Sequence, residues 1–179
     1  MQTLHLPSGV ERPFGRDEII VTKTDTAGRI TYANQVFLRV AAYDEDDVLG
    51  RPHNIVRHPD MPRGVFKLLW DTIAAGDEIF AYVLNLASDG GHYWVFAHVT
   101  PSLDADKRVT GYHSNRRYAP RTAVAAVEPI YRRMLRAEAQ EGRATAAAAA
   151  GVECLHDQLA EAGSTYDQLV WSVTHGAAS

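Results

Sequence analysis

The sequence has 179 residues, and 46% of them are hydrophobic, a composition that excludes a disordered chain and supports a folded core. Eighteen Lys and Arg against 22 Asp and Glu give a net charge of −4, which argues against non-specific nucleic-acid binding. No run of about 18 apolar residues and no secretory signal is visible, and the single cysteine, Cys154, cannot form an internal disulfide. We therefore expect a cytoplasmic protein without a membrane span.

Five strands are predicted, two before and three after a helical region. They are rich in β-branched and aromatic residues and are bounded by turn signals: Ile19–Asp25, Ile30–Asn34, Ile79–Ala87, His92–Thr100 and Arg108–Arg117. Short turns such as Asp-Thr-Ala-Gly and Ser-Asp-Gly-Gly join neighbouring strands, so we expect antiparallel pairing. The pattern predicts an α+β fold, in which a five-stranded antiparallel sheet carries short helices on one face.

Several helices are predicted from capping residues and periodicity. Asn34 suits the N-cap of one helix, and Pro62 suits the first helical position of another that ends at Gly76. After the sheet, an alanine-rich composition favours further helices, the last of them capped by Ser164. We divide the chain into an N-terminal arm, a sheet domain and a C-terminal helical extension, at 1–18, 19–118 and 119–179.

Both faces of the predicted sheet are apolar. On one face of the third strand, Asn85 follows Ile79, Ala81 and Val83 at alternate positions and is the polar member of that row. One face can pack on the short helices, whereas the other needs either the C-terminal helices or a second subunit. The sequence leaves both possibilities open, and we expect a homodimer.

A polar bend lies between the helices, in the segment Pro52-His-Asn-Ile-Val-Arg-His-Pro-Asp-Met-Pro62, whose prolines stop any regular helix. The residues alone favour a structural role, with Arg57 paired to Asp60 and His58 bonded to the backbone. His53 and His58 are five positions apart and do not share a helical face, so a metal pair is disfavoured. A haem with one axial histidine stays an alternative.

The segments T-D-T-A-G-R-I-T-Y-A-N, H-N-I-V-R-H-P-D-M-P, G-G-H-Y-W-V-F-A-H-V-T-P and G-Y-H-S-N-R-R resemble the PAS sensor domains of bacterial aerotaxis receptors. The resemblance covers roughly Asp17 to Arg117, and the histidine-proline segment is its most specific part. It implies a PAS fold and non-covalently bound FAD, with FMN or haem as the lesser alternatives. It also implies a non-enzymatic redox or oxygen sensor in chemotaxis signal transduction, acting on a downstream signalling protein.

The resemblance also implies roles for individual residues. Arg57, His58 and Asp60 match positions that the family needs for flavin binding. Asn34, Asn85, Phe66 and Trp70 fall where the family's pocket is usually lined. His53 and Tyr93 complete the predicted cofactor-binding residues. The chain departs from the family where Leu-Ala-Ser-Asp-Gly-Gly follows Asn85 in place of a basic run, which removes expected phosphate contacts. It also lacks a membrane anchor, so we expect a stand-alone sensor.

Other chemistries find little support in the sequence. No nucleophile or phosphate-loop motif is present, and Cys154 lies outside the sheet domain, which argues against a cysteine–flavin photoadduct. Five arginines near the end of the sheet domain are interpreted as a solvated basic stretch: Arg116, Arg117, Arg121, Arg132 and Arg133. The alternative function is a cofactor-free PAS module that dimerises or holds a partner protein.

Overall fold

The computed structural model describes residues 6–176, so parts of the predicted arm and extension, 1–5 and 177–179, lie outside the described residues. Five strands form one antiparallel sheet in the order β2-β1-β5-β4-β3. The strands are β1 (Ile20–Thr24), β2 (Ile30–Ala33), β3 (Ile79–Leu86), β4 (His92–Leu103) and β5 (Val109–Tyr118). The predicted α+β fold is confirmed, and each predicted strand is present with its ends shifted by at most three residues.

Six α-helices and one 3₁₀ helix accompany the sheet in residues 6–176. They are α1 (Gln35–Ala41), α2 (Glu45–Val48), the 3₁₀ helix (His53–Val56), α3 (Arg63–Ala74), α4 (Arg121–Glu138), α5 (Ala144–Glu161) and α6 (Tyr166–Gly176). Within this part of the chain, none of the helices combines the length and apolar character that crossing a lipid bilayer requires.

The helix caps agree with the sequence at one position and differ at two. Asn34 caps α1, because its side-chain oxygen accepts the Phe37 N–H at 3.0 Å. Pro62 is the N-cap of α3 and not its first helical residue. The prediction that Ser164 caps the last helix is wrong, because Thr165 caps α6. The Thr165 hydroxyl accepts the Gln168 N–H at 3.2 Å, and the Gln168 side-chain oxygen accepts the Thr165 N–H at 2.9 Å. That reciprocal pair satisfies two helix-end donors at once.

The C-terminal extension covers the outer face of β3 and β4. Tyr82, Leu84 and Trp94 point to this face and are buried in the same apolar cluster as residues of α4 and α6. The Trp94 ring stacks on Tyr131 of α4 at 6.3 Å, and the Tyr82 hydroxyl bonds to Thr174 of α6 at 2.9 Å. Burying each large side chain stabilises the fold by about 1.5–3 kcal/mol. The extension therefore supplies the cover that the sequence left open.

The free edge of β3 is also covered by the extension. Tyr131 donates its hydroxyl to the Tyr82 carbonyl at 2.7 Å, and Tyr166 donates to the Phe80 carbonyl at 2.9 Å. An exposed strand edge invites pairing with another chain, and these hydroxyls occupy carbonyl acceptors at that edge. The extension and the sheet domain are thus joined by backbone contacts as well as by apolar packing.

Helices α3 and α5 cross in backbone contact. A Cβ atom on Gly64 would lie 2.6 Å from the carbonyl carbon of Gly151, so this approach requires glycine. Glu138, at the end of α4, is buried at the crossing, where its carboxylate accepts the N–H groups of Arg63 at 2.9 Å and Gly64 at 2.8 Å. A carboxylate at a helix N-terminus satisfies donors that have no partner within the helix. Glu138 therefore ties the extension to the start of α3.

The described part of the arm lies along the beginning of β4. The backbone N–H groups of Ser8 and Arg12 donate to the carbonyls of Gly90 and His92, both at 2.8 Å. The Arg12 side chain also donates to the Val40 carbonyl at 2.7 Å. Because the sheet and the extension share one apolar cluster, the division into arm, domain and extension stays an interpretation of the sequence.

Candidate ligand-binding cavity

A cavity of about 450 Å³ lies between α3, the proline-framed bend and the inner face of the sheet. Small-molecule sites commonly have volumes of about 300–1,000 Å³. Its apolar walls come from β3 and β4 on one side and from α3 on the other: Val83, Ala97, Val99, Phe66, Leu69 and Trp70. Apolar walls on two sides of the cavity suit a largely apolar ligand.

A second depression, of about 830 Å³, lies beside α1 and α2. Its lining is dominated by charged and polar side chains, among them Arg39, Asp44, Glu45, Asp47 and Arg51. It lacks the apolar walls of the cavity under α3. We therefore take the cavity as the candidate site.

Five of the nine predicted cofactor-binding residues line this cavity: His53, Arg57, Phe66, Trp70 and Asn85. The bend places Arg57 beside the sheet, because its backbone forms an antiparallel bridge with Asn85. The Arg57 guanidinium lies 4.6 Å from the centre of the Phe66 ring, a cation–π contact, and burial lowers the Arg57 pKa. Asn85 is buried and projects from β3 into the space between the walls.

Trp70 is fixed by two neighbours. Its ring meets Tyr112 edge to face, with the ring centres 5.4 Å apart. The indole also lies against Gly28, which has a φ of +77° and whose substitution would place a Cβ 2.8 Å from the Trp70 ring. A left-handed φ and a close aromatic contact both favour glycine at this turn. The wall that Trp70 forms is therefore set by packing and not by a flexible loop.

Four predicted residues do not line the cavity: Asn34, His58, Asp60 and Tyr93. Asn34 is engaged as the cap of α1, and Tyr93 is buried on β4 with the pKa of its hydroxyl raised by burial. His58 is buried, and its Nδ1 accepts the Asp60 N–H at 3.1 Å, whereas the Asp60 side chain is exposed. These contacts give His58 and Asp60 the structural role within the bend that the residues alone favoured, with a His58–Asp60 contact in place of the expected Arg57–Asp60 pair. Their part in cofactor binding stays a prediction.

Arg116, on β5, is a site residue that the sequence analysis assigned to the solvated basic stretch, and that assignment is wrong. Its side chain is buried and lines the cavity. Its Nη2 donates to Thr22 Oγ1 and to His53 Nε2, both at 2.6 Å. Burial lowers the Arg116 pKa to about 10, so the guanidinium is still charged at neutral pH. Burial and the Arg116 charge lower the His53 pKa to about 3, so the imidazole stays neutral and accepts at Nε2.

Several polar atoms at the cavity have no partner. Among residues 6–176, the buried side-chain atoms without a hydrogen bond are Thr24 Oγ1, Tyr93 Oη, Ser114 Oγ and Arg116 Nη1. Thr24, Ser114 and Arg116 belong to the cavity lining. A buried polar atom without a partner costs about 1–3 kcal/mol, and more when it is charged. The Arg116 guanidinium forms no ion pair with a carboxylate in the described chain. Together with the two hydroxyl groups it fits a ligand that has acceptor atoms.

A pattern in the sequence points to this group. On β5, Tyr112, Ser114 and Arg116 alternate, and they pair with Pro101, Val99 and Ala97 of β4. Side chains alternate between the two faces of a strand, so this row shares the inner face with the apolar wall. The neighbouring arginines, Arg117 and Arg121, give this end of β5 the composition of a solvated segment and obscure the alternation.

Comparisons with known proteins agree with this architecture. The family model described as PAS fold matches residues 19–113. The aerotaxis receptor of Escherichia coli (strain K12) is 39% identical over 120 residues, which are 67% of this chain and 24% of that receptor. The chain thus spans about a quarter of the length of this relative.

Solved structures share the fold. The dark structure of the blue-light photoreceptor Aureochrome1 LOV has a TM-score of 0.53 and 25% identity, covering 57% of this chain and 76% of that one. A light-oxygen-voltage domain studied with a flavin analogue has a TM-score of 0.55 and 22% identity, covering 61% and 83%. At 22% identity the likeness is one of fold.

Proposed function

Because the chain belongs to the PAS family, we propose that it is a flavin-binding sensor domain that reports redox state or oxygen. The observation that carries this proposal is the buried Arg116 guanidinium, which meets the cavity without a carboxylate partner in the described chain. FAD is the proposed cofactor, since the histidine-proline segment resembles FAD-binding aerotaxis sensors. We further propose that the protein is not an enzyme and, from its single cysteine, that it is cytoplasmic.

The cavity offers the contacts that an isoalloxazine ring requires. A flavin supplies reversible uptake of electrons and protons when it is bound. The two faces of the isoalloxazine ring are apolar and match the walls formed by Phe66 and Trp70 on one side and by Ala97 on the other. The Asn85 amide and the Arg116 guanidinium line the same cavity, and both are groups that would hydrogen-bond to the polar edge of the ring.

The charges of the site favour electron-rich ligands. Arg57 and Arg116 bring two cations to the lining, in surroundings that weaken the hydration of charge. His53 remains neutral at Nε2, because its pKa of about 3 keeps it unprotonated at physiological pH. A positive, preorganised environment stabilises negative charge that develops on a ligand. This supports a role for Arg116 in holding the reduced cofactor.

The proposed output is the C-terminal extension. Asn85 lies on β3, and the carbonyls of Phe80 and Tyr82 on the same strand accept hydrogen bonds from the extension. A rearrangement around Asn85 would therefore reach α4 and α6 through β3. A downstream signalling protein and a homodimer belong to this proposal as the means of reading out the change.

The alternatives remain a cofactor-free interaction module and a haem sensor. An interaction module without a cofactor would leave the buried polar atoms of Ser114 and Arg116 without hydrogen-bond partners. For a haem, His53 would have to release its Nε2 from the Arg116 N–H, and His58 would have to release its Nδ1 from the bend. The cavity therefore favours the flavin.

The test is the absorption spectrum of the purified chain after incubation with FAD and removal of the excess. We expect flavin bands that bleach with dithionite and return in air. An Ala97→Phe variant fills the cavity and should stay colourless with an unchanged circular dichroism spectrum, whereas Ala149→Phe, at an exposed position of α5, should bind as the parent does. A folded parent protein that stays colourless would refute flavin binding and favour the interaction module.

A further inference from the structure

We infer that the C-terminal extension completes the binding site: the N-terminus of α5, together with Arg63 and Lys67 of α3, forms a subsite for the 5′-phosphate of a flavin nucleotide. The inference rests on the proposed function, because it names the subsite for the charged part of the same ligand. It goes beyond that function by making the extension part of the binding site.

The extension reaches the rim of the cavity through α5. Ala144 and Ala148, one helical turn apart, line the cavity beside Arg63 and Lys67. The other described residues of the lining belong to the sheet domain, whereas Ala144 and Ala148 belong to the C-terminal extension. Their small side chains leave the backbone of the first turn of α5 close to the lining. A ligand that fills the cavity therefore lies next to the start of this helix.

The start of α5 is suited to an anion. The helix has 18 residues, its N-cap Arg143 makes no side-chain capping hydrogen bond, and no acidic residue occupies the first turn. The first N–H groups of a helix have no partner within it, and the aligned peptide dipoles place partial positive charge there. Phosphate groups bind at helix N-termini for these two reasons.

Two cations of α3 stand at the same rim. Arg63 is exposed and lines the cavity, and Lys67 lines it one turn later while pairing with Asp71 at 2.7 Å. An exposed pair of this kind is weak, so the ammonium group remains able to bind a phosphate. The nearby acid Glu138 is already engaged, since both of its oxygens accept backbone N–H groups of α3. Glu138 and Asp71 keep their negative charges but lie outside the lining, whose charged side chains are all basic.

A second, independent observation points to a ligand in the same cavity. Arg116 and Ser114 both line the cavity and are only 5% and 8% exposed, and Arg116 Nη1 and Ser114 Oγ are buried without a hydrogen-bond partner. These atoms lie on the sheet, whereas Arg63 and Ala144 lie on the helices at the rim. The cavity thus offers partners for an acceptor-rich ring at one end and for an anion at the other. A flavin ring carrying a 5′-phosphate on its ribityl chain has this arrangement.

The test compares three ligands that share one ring. The full chain, freed of ligand, is titrated with riboflavin, FMN and FAD, and binding is followed by flavin fluorescence. Riboflavin lacks the phosphate, so we expect FMN and FAD to bind at least about tenfold more tightly, which is the effect of a good charge-assisted contact. Raising the salt concentration should weaken FMN binding and leave riboflavin binding unchanged.

The decisive variant is Ala144→Glu. A carboxylate in the first turn suits the helix dipole, so α5 is retained, but it repels a phosphate. We expect FMN and FAD to bind about tenfold more weakly and riboflavin to bind as before. Ala149→Glu, exposed on the same helix and outside the lining, is the matched control, and Arg63→Gln should reproduce the selective loss.

The outcomes separate the two proposals. Equal affinity for riboflavin and FMN, or an Ala144→Glu variant that binds FMN as the parent does, would overturn the phosphate subsite and leave flavin binding intact. A loss confined to FAD would also overturn it, because FMN carries the 5′-phosphate as well. Failure of all three ligands to bind a folded chain would instead refute the proposed function itself.

Discussion

Replacing Arg116 with methionine removes the buried guanidinium while keeping most of the side-chain volume. Without a ligand, Arg116 Nη2 donates hydrogen bonds to Thr22 and His53, and Nη1 has no hydrogen-bond partner among the described residues. Thr22 Oγ1 and His53 Nε2 are also 3.0 Å from each other, so the hydroxyl can donate to the imidazole when Arg116 is gone. The substitution therefore leaves both partners hydrogen-bonded.

The expected effects on stability and on binding have different sizes. A buried charge without an opposite charge destabilises a fold, and its replacement by an apolar side chain is often neutral or stabilising. We expect the free energy of unfolding of the ligand-free chain to change by less than about 1 kcal/mol or to rise. A hydrogen bond to a charged group contributes about 1.5–3 kcal/mol. Flavin affinity should therefore fall by about 10- to 100-fold.

The assay pairs a flavin titration with urea unfolding of the ligand-free protein. Arg117→Met is the matched control, because Arg117 is the next residue on β5, is exposed and faces the opposite side of the sheet. It should leave both quantities unchanged. An Arg116→Met variant that binds flavin as tightly as the parent would refute the role given to the guanidinium. A variant that loses several kcal/mol of stability would show that Arg116 is structural.

Two further predictions concern stability. Because the His53 pKa is about 3 in the folded chain and 6.5 in the reference state, the unfolded chain takes up a proton first as the pH falls below about 6.5. The free energy of unfolding should then decrease by up to about 1.4 kcal/mol per pH unit down to pH 3. Urea titrations at several pH values should show a smaller decrease for His53→Gln, which lacks the imidazole. The same pH dependence in the parent and the variant would contradict the lowered pKa of His53. Glu138→Gln should lower the free energy of unfolding by about 1–3 kcal/mol, because an amide offers one acceptor oxygen to the two N–H groups of Arg63 and Gly64. Equal urea midpoints for the parent and the variant would show that the carboxylate is dispensable.

The sequence predicted the parts of the site that depend on local pattern. The α+β fold was predicted from five strands and their turns, and the PAS fold from the resemblance that the histidine-proline segment carries. The alternation on β3 placed Asn85 among apolar neighbours of one face, which is the face that lines the cavity. Phe66 and Trp70 share one stripe of α3 and form a wall together. Periodicity is sufficient for such residues because neighbours on one helix or strand face the same way.

Arg116 escaped prediction because its burial depends on strand pairing. Its neighbours along the chain are basic and polar, which is typical of a solvated segment. The alternation on β5 puts Arg116 in one row with Tyr112 and Ser114, and the register between β4 and β5, which sets Arg116 opposite Ala97, shows that this row faces the interior. His58 and Asp60 match the family motif but lie outside the lining of the cavity, so their part in cofactor binding stays a prediction.

The extension was the least predictable part. An apolar outer sheet face requires a cover, but the pattern is the same whether a helix of this chain or a second subunit supplies it. Ala144 and Ala148 carry no chemical signal, and the contact between Gly64 and Gly151 joins positions far apart in the sequence. Such long-range contacts depend on the whole fold and cannot be read from any one segment.

The most direct test of the central claim is a crystal structure of the full chain grown with a flavin. We predict the ring between α3 and the inner sheet face, with its polar edge in contact with Asn85 and Arg116. A ring bound at any other surface, or a cavity closed by its own side chains while the flavin remains in solution, would contradict the claim.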